Sequence, residues 1–213
     1  MAENSGGAIL AKRFGLKNLR IPLPMGITAT DRFFAELERI SGLSAPEKYQ
    51  GERGRLVDSY VDGHKYVYGK KAIVYGEEDL VVGLTAFLAE IGVMPILCAS
   101  GGKSGKLAEE IRRATEGILP EQPQVHEGMD FYDISELAES LQPDLLVGHS
   151  KGYPLARKLS IPLIRVGFPI HDRMGGQRIL HLGYRGAQNL FDLVVNGCIA
   201  RKQDNSPVGY SYM

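Results

Sequence analysis

The sequence predicts an α/β protein, a Rossmann-like parallel sheet with helices on both faces and further helices flanking it at the N- and C-terminal ends. Short apolar, β-branched runs recur at 71–76, 94–99, 144–148 and 162–166. Between them lie segments whose apolar residues fall at helical spacing. The runs are continuous rather than alternating, as strands buried on both faces of a parallel sheet require. The alternation divides the chain into an N-terminal strand and flanking helices over 1–69, the α/β unit over 70–168, and a ligand-side loop, C-terminal helix and tail over 169–213.

Thr28-Ala29-Thr30-Asp31 reads as a helix-start box, with Phe33, Phe34, Leu37 and Ile40 following at helical spacing and Gly42 as the stop. Glu52 to Tyr68 reads as a second helix. Lys71 to Gly76 is a strand, after which Glu77-Glu78-Asp79 places acid at a helix start, where the dipole favours it. Leu80, Leu84, Phe87, Leu88 and Ile91 form that helix's apolar face. Met94 to Ala99 is the next strand, and Leu107, Ala108, Ile111 and Ala114 point inward from the helix after it. Gln124 to Glu127 is a strand candidate, and Ile134, Leu137, Ala138 and Leu141 mark a helix that stops before Pro143. Asp144 to Gly148 and Pro162 to Val166 are strands on either side of a short helix near Leu155. Ala187, Leu190, Phe191, Val194, Gly197 and Cys198 then share one helical stripe, ahead of a tail at Asp204 to Pro207.

Composition removes several function classes. Lysine plus arginine equals aspartate plus glutamate at 25 each, so net charge is zero. That gives no electrostatic case for nucleic acid. Leu80 to Leu97, the most apolar long stretch, is interrupted by Glu90, Gly92 and Pro95, so no membrane span is expected. Met1 to Gly7 has neither the basic start nor the apolar core of a signal peptide. Two cysteines, Cys98 and Cys198, make no disulfide framework. A cytoplasmic location is the expectation, with both thiols buried.

Gly148-His149-Ser150-Lys151-Gly152 matches the G-x-S-x-G nucleophile elbow between a strand and a helix, and Asp172 and His181 follow in triad order. Strand-to-helix turns favour glycine in any case, and the residues after Ser150 offer one clear strand, so a structural or ligand-facing turn is the favoured reading. Ser100 to Leu107 imitates a phosphate loop but fails at both ends, including the magnesium-ligating hydroxyl. A plain flexible loop, at most a weak anion holder, is expected there. The histidines, His64, His126, His149, His171 and His181, show no zinc-site spacing. Gly167 to Gly176 lies past the carboxyl end of the last strand, where parallel sheets open their crevice. His171, Asp172 and Arg173 there supply a titratable donor, an acceptor and a permanent cation. With His149 and Ser150 they are the candidate pocket-lining, cofactor-binding set.

Several blocks occur together in order: Gly26 to Phe33, Glu52 to Asp58, Val147 to Gly152, Ile161 to Arg173, and Gly183 to Gly186. Together they resemble the nitrogenase component 1 family in its β-type branch, over Leu10 to Gly197. That branch includes the nitrogenase β subunit and the β-like subunit of the scaffold that assembles the iron–molybdenum cofactor. Family members carry Gly-Asn-Ser-x-Gly where this chain has Gly148 to Gly152, without acting as serine hydrolases; His149 stands in for the Asn.

The resemblance implies nitrogen fixation chemistry within a larger oligomeric complex, with an α-type component 1 subunit and a reductase iron protein as partners. An iron–sulfur or iron–molybdenum type cluster is implied for the complete complex, and none is expected on this chain alone. The family's cluster cysteines lie in an N-terminal portion that has no counterpart here. In catalytic α subunits a cofactor cysteine precedes the strand that Leu16 to Pro22 resembles, where this chain has Gly6-Gly7-Ala8. A cofactor histidine lies in the loop that His171 to Arg173 resembles, out of clear register, so no metal ligand is carried over. Within the branch, the short tail after Arg201 and Gly175-Gly176 favour the assembly scaffold over the nitrogenase β subunit. A serine hydrolase using Ser150 and a free-standing small-ligand domain are the competing expectations. Association is also expected, because the Phe33 and Ala187 stripes flank the sheet unit and would lie uncovered.

Overall fold

The computed structural model describes residues 5–208. Met1 to Asn4, part of the segment read for a targeting signal, and Gly209 to Met213 lie outside the described residues.

Helix α1 (Gly6–Phe14) opens the chain where the sequence predicted no helix. The Ser5 hydroxyl accepts the Ala8 amide hydrogen at 3.2 Å, and Gly15 closes the helix in the left-handed conformation. No residue of α1 is buried. The N-terminal strand that the resemblance implies at Leu16 to Pro22 is absent, and those residues form irregular chain. Pro22 and Pro24 lack the amide donors that a strand ladder needs.

Helix α2 (Gly26–Ser41) begins two residues before the expected Thr28–Asp31 box, and its cap comes from elsewhere. The Glu90 carboxylate accepts the Ile27 amide at 2.7 Å and the Thr28 amide at 2.8 Å, and it also takes the Tyr60 hydroxyl at 3.0 Å. Thr30 instead turns its hydroxyl back to the Gly26 carbonyl at 2.6 Å. Gly42 ends α2 in the left-handed conformation, as expected. Helix α3 (Glu47–Val67) follows.

The α/β unit then runs as β1 (Lys71–Tyr75), α4 (Glu78–Glu90), β2 (Met94–Ser100), α5 (Leu107–Thr115), β3 (Gln124–Glu127), α6 (Phe131–Leu141), β4 (Leu145–Gly148), α7 (Tyr153–Lys158), β5 (Leu163–Arg165) and α8 (Gly183–Asp204). All pairings are parallel, in the order β3-β2-β1-β4-β5. The fold is α/β and Rossmann-like. On α5 the expected inward Ala108 is exposed. Buried Thr115 joins Leu107 and Ile111 instead, its hydroxyl satisfied by the Ile111 carbonyl at 2.8 Å.

Period-two alternation sends strand residues to two cores. Ala72, Val74, Cys98, Leu145, Val147 and Ile164 face the larger one, under α2, α3, α4, α5 and α8. Ile73, Tyr75, Leu97, Ala99 and Leu146 face the smaller, under α6 and α7. The α8 stripe is not left uncovered as expected: Ala187, Leu190, Phe191 and Val194 are buried in the larger core. Gly63 permits this, since a β-carbon there would meet the Phe191 ring at 2.6 Å. The α2 stripe divides. Phe34 stacks on Tyr184 at 5.6 Å between ring centroids, whereas Leu37 and Ile40 are exposed.

Glu90 ends α4, where its charge opposes that helix's own dipole, yet it neutralises the N-terminus of α2. Glu90→Ala is therefore expected to cost about 2 kcal/mol in urea unfolding, more than an ordinary cap, since Tyr60 also loses its acceptor. Glu90→Gln, which retains one acceptor oxygen, should cost less.

Candidate functional site

The two glycines of Gly148-His149-Ser150-Lys151-Gly152 are explained by Tyr75. This residue ends the central strand β1, fully buried, and its hydroxyl donates to the His149 carbonyl at 2.7 Å. A β-carbon at Gly148 would lie 2.5 Å from the Tyr75 carbonyl oxygen and 2.6 Å from its ring. One at Gly152 would overlap the phenol oxygen and lie 2.8 Å from Cζ. Both are far inside van der Waals contact, so the elbow pattern is the space left for a phenol. Burial also raises the Tyr75 pKa, so its hydroxyl stays protonated as a donor.

Ser150 sits in a single turn of 3-10 helix, Ser150–Gly152, after β4. Its hydroxyl donates to Asp172 Oδ1 at 2.6 Å and accepts the His171 amide at 3.0 Å. Arg165, at the end of β5, grips Asp172 with Nε 2.9 and 3.0 Å from the two carboxylate oxygens and its terminal nitrogen 2.6 Å from Oδ2. These Arg165 bonds first, and the Ser150 bond second, hold the Asp172 carboxyl well below the usual carboxylate range. Arg173 reaches back to the Asp172 carbonyl at 2.6 Å, with its side chain mostly exposed.

The candidate set therefore comes together only in part. Ser150, Asp172 and the backbone of His171 form one bonded unit, while the His171 side chain is exposed. The His149 ring packs edge-on to Tyr75 at 4.9 Å and near Phe131. Desolvation, then Lys151, lowers its pKa, which keeps it neutral near pH 7. Its Nδ1 is buried without a hydrogen-bond partner. The triad order of Ser150, Asp172 and His181 does not become a triad. Ser150 meets Asp172 directly, and a carboxylate held so acidic is a poor base for a serine proton. His181 lies against the first turn of α8 at Gly186, with Nε2 buried and unpaired.

Phe131, Tyr153 and Pro154 wall a crevice of about 500 Å3 beside this unit, with Ser150, Lys151, His171 and Asp172 completing its lining. It opens past the carboxyl ends of β4 and β5, the side on which parallel sheets place ligands. The loop Ser100 to Leu107 offers nothing comparable. Its Ser104 amide is bonded to Glu78, and its Gly105 and Leu107 amides to Glu127, so the protein's own carboxylates occupy the place of an anion.

The cysteines are poor cluster ligands as folded. Cys98 is completely buried in β2 beside the Thr85 hydroxyl at 3.2 Å, and burial pushes its thiol up to about 12. Cys198 on α8 is only half-buried rather than buried as expected, and desolvation still raises its thiol. Among the described residues no three His, Cys, Asp or Glu side chains converge as a metal site. These donors do not fit a cluster held by this chain alone.

Arg165 and Tyr75 are the structural residues of the site that motif reasoning missed. A charge in the apolar run Leu163–Arg165 was the available signal for the first, and the glycine pair itself for the second. Gly152→Ala should destabilise the protein by about 3 kcal/mol in urea unfolding, because overpacking at Tyr75 cannot relax through a flexible tip. Asp172→Asn should cost about 2 kcal/mol at neutral pH, leaving Arg165, 13% exposed, without its counter-charge. The depressed carboxyl contributes stability above its unfolded value and loses it as pH falls toward the lower folded value. Urea midpoints from pH about 5 to about 3 should thus fall more steeply for the unaltered chain than for Asp172→Asn.

Residues 1–199 match the family model described as nitrogenase component 1 type oxidoreductase. The nitrogenase molybdenum–iron protein beta chain of Azotobacter vinelandii is 35% identical over 201 residues, covering 88% of this chain and 37% of its own. That of Methanothermobacter thermautotrophicus is 34% identical over 197 residues, covering 92% and 42%. A solved structure of nitrogenase Cp1 at pH 6.5 superposes with TM-score 0.91 at 29% identity, covering 96% of this chain and 45% of that one. The chain thus spans less than half the length of the relatives it matches. With the family model matched over nearly its whole length and the fold shared, this chain belongs to the nitrogenase component 1 type oxidoreductase family.

Proposed function

We propose that the chain works as a β-type component 1 domain, associating with an α-type component 1 subunit and helping to shape the pocket of a cluster that the assembled complex holds. The reading rests on uncovered apolar surface at the N-terminal end. Ile9 is 57% exposed and Phe14 60%, with Leu10, Leu16, Ile40 and Leu43 also more than half exposed. A nine-residue helix with no buried residue is marginal in water by itself, so α1 calls for a partner surface. The reductase iron protein would serve the complete complex as electron donor.

Two roles within the branch remain as proposals. The assembly scaffold is favoured by Gly175-Gly176. A role in the molybdenum–iron protein itself is favoured by the beta chains among the relatives. The serine hydrolase is set aside, since Ser150 hydrogen-bonds to an acidic carboxylate rather than a base.

Co-expression with an α-type component 1 subunit tests the reading. The two chains should co-purify, and Phe14→Glu should abolish co-purification while leaving the urea midpoint of the isolated chain unchanged. Co-purification undiminished by Phe14→Glu, or no complex with any α-type subunit, would overturn it. Cluster transfer to a cofactor-free molybdenum–iron protein would mark the scaffold, and substrate reduction with the iron protein the catalytic role.

A further inference from the structure

We propose that the crevice beside Ser150 binds a small organic anion with an apolar body, a carboxylate or a phosphate ester carried on a ring. The proposal stands on the crevice's own chemistry and not on the family reading. Phe131, Tyr153 and Pro154 supply apolar walls, so water there is easily displaced by a ring but poorly by a bare ion. The polar groups around those walls are unequal. Asp172 is the lining carboxylate, and Arg165 and Ser150 already hold both of its oxygens. Its charge is thereby spent inside the protein.

The carboxylates next to Phe131 are committed as well. Asp130 caps α6 by accepting the Tyr132 and Asp133 amides, and Asp133 turns back toward the Asp130 amide. Against these engaged acids, the Lys151 ammonium at the lining has no hydrogen-bond or ion-pair partner among the described residues. The His171 imidazole likewise has none. Arg165, its charge paired with Asp172, lies with its guanidinium 5.7 Å from the Tyr153 ring and backs that wall. The result is an apolar wall beside an unspent cation and an unspent ring donor. An anion would meet Lys151 and His171 while its apolar body lies against Phe131 and Tyr153.

A volume of about 500 Å3 leaves room for a ring with its anionic group and for solvent beside it. It exceeds what a chloride or an inorganic phosphate would fill. The apolar contacts therefore decide affinity and the cation decides sign. Carboxylate and phosphate are equally served by an ammonium, which acts as a point charge without a preferred geometry.

Titrating the full 213-residue chain with benzoate, phenyl phosphate, inorganic phosphate and benzylammonium, read by amide chemical shifts, tests this. Saturable shifts at residues 149–153 and 171–173 are expected with benzoate and phenyl phosphate at millimolar concentration. The tighter of the two identifies the anionic group. Inorganic phosphate should bind about tenfold more weakly than phenyl phosphate, for want of apolar contact. Lys151→Glu should weaken both ring anions about tenfold or more, whereas Arg112→Glu on the exposed face of α5 should leave them unchanged. Equal binding of benzylammonium, inorganic phosphate as tight as phenyl phosphate, insensitivity to Lys151→Glu, or no saturable shift would each overturn the proposal. None of these outcomes bears on co-purification with an α-type subunit, so the two readings fail separately.

Discussion

The geometry at the carboxyl end of the sheet follows from one buried phenol. Tyr75 closes the central strand, and its hydroxyl is anchored on the His149 carbonyl of the neighbouring strand's turn. A group of this size at the junction of β1 and β4 leaves no room for β-carbons at Gly148 or Gly152. The turn is consequently tight, and its tightness sets Ser150 where it meets the loop after β5. The phenol is also the large residue of the smaller core, packed edge-on to Phe131 at 5.1 Å, so site and core share one side chain.

From that placement the rest of the site follows as a chain of satisfied bonds. Ser150 joins the β4 turn to Asp172, Asp172 joins the loop to Arg165, and Arg165 returns the connection to β5. A side chain mostly withdrawn from water, such as Arg165, needs a counter-charge, and the bidentate carboxylate supplies it. The same commitment removes Asp172 from proton transfer. A serine beside an aspartate thus pins a loop, and the crevice keeps its chemistry in the residues that the latch does not use.

The same economy recurs away from the site. Glu90 caps α2, Glu127 and Glu78 hold the Ser100 to Leu107 loop, and Asp130 caps α6. Each carboxylate meets backbone amides that would otherwise be orphaned at a helix start or a turn. Three of the four act across long stretches of sequence, tying helices to the sheet unit. In the Ser100 to Leu107 loop, which looks like an anion site, the protein's own acids take the Ser104, Gly105 and Leu107 amides.

The strands and helices of the α/β unit were legible in the sequence because burial on both faces writes itself as continuous apolar runs, and helix faces as a 3.6-residue period. Multi-block resemblance over Leu10 to Gly197 similarly carried the family, since ordered blocks are far more specific than a five-residue motif. What the sequence could not determine were relations between distant side chains. That α2 is capped by Glu90, that Ala108 turns outward, and that α8 buries its stripe under α3 all depend on which elements meet in space. Ser150, Asp172 and His181 read as a triad in order along the chain. Tertiary structure put the carboxylate against the serine and the histidine elsewhere, because a hydrogen bond is decided by a distance of about 3 Å and not by sequence order.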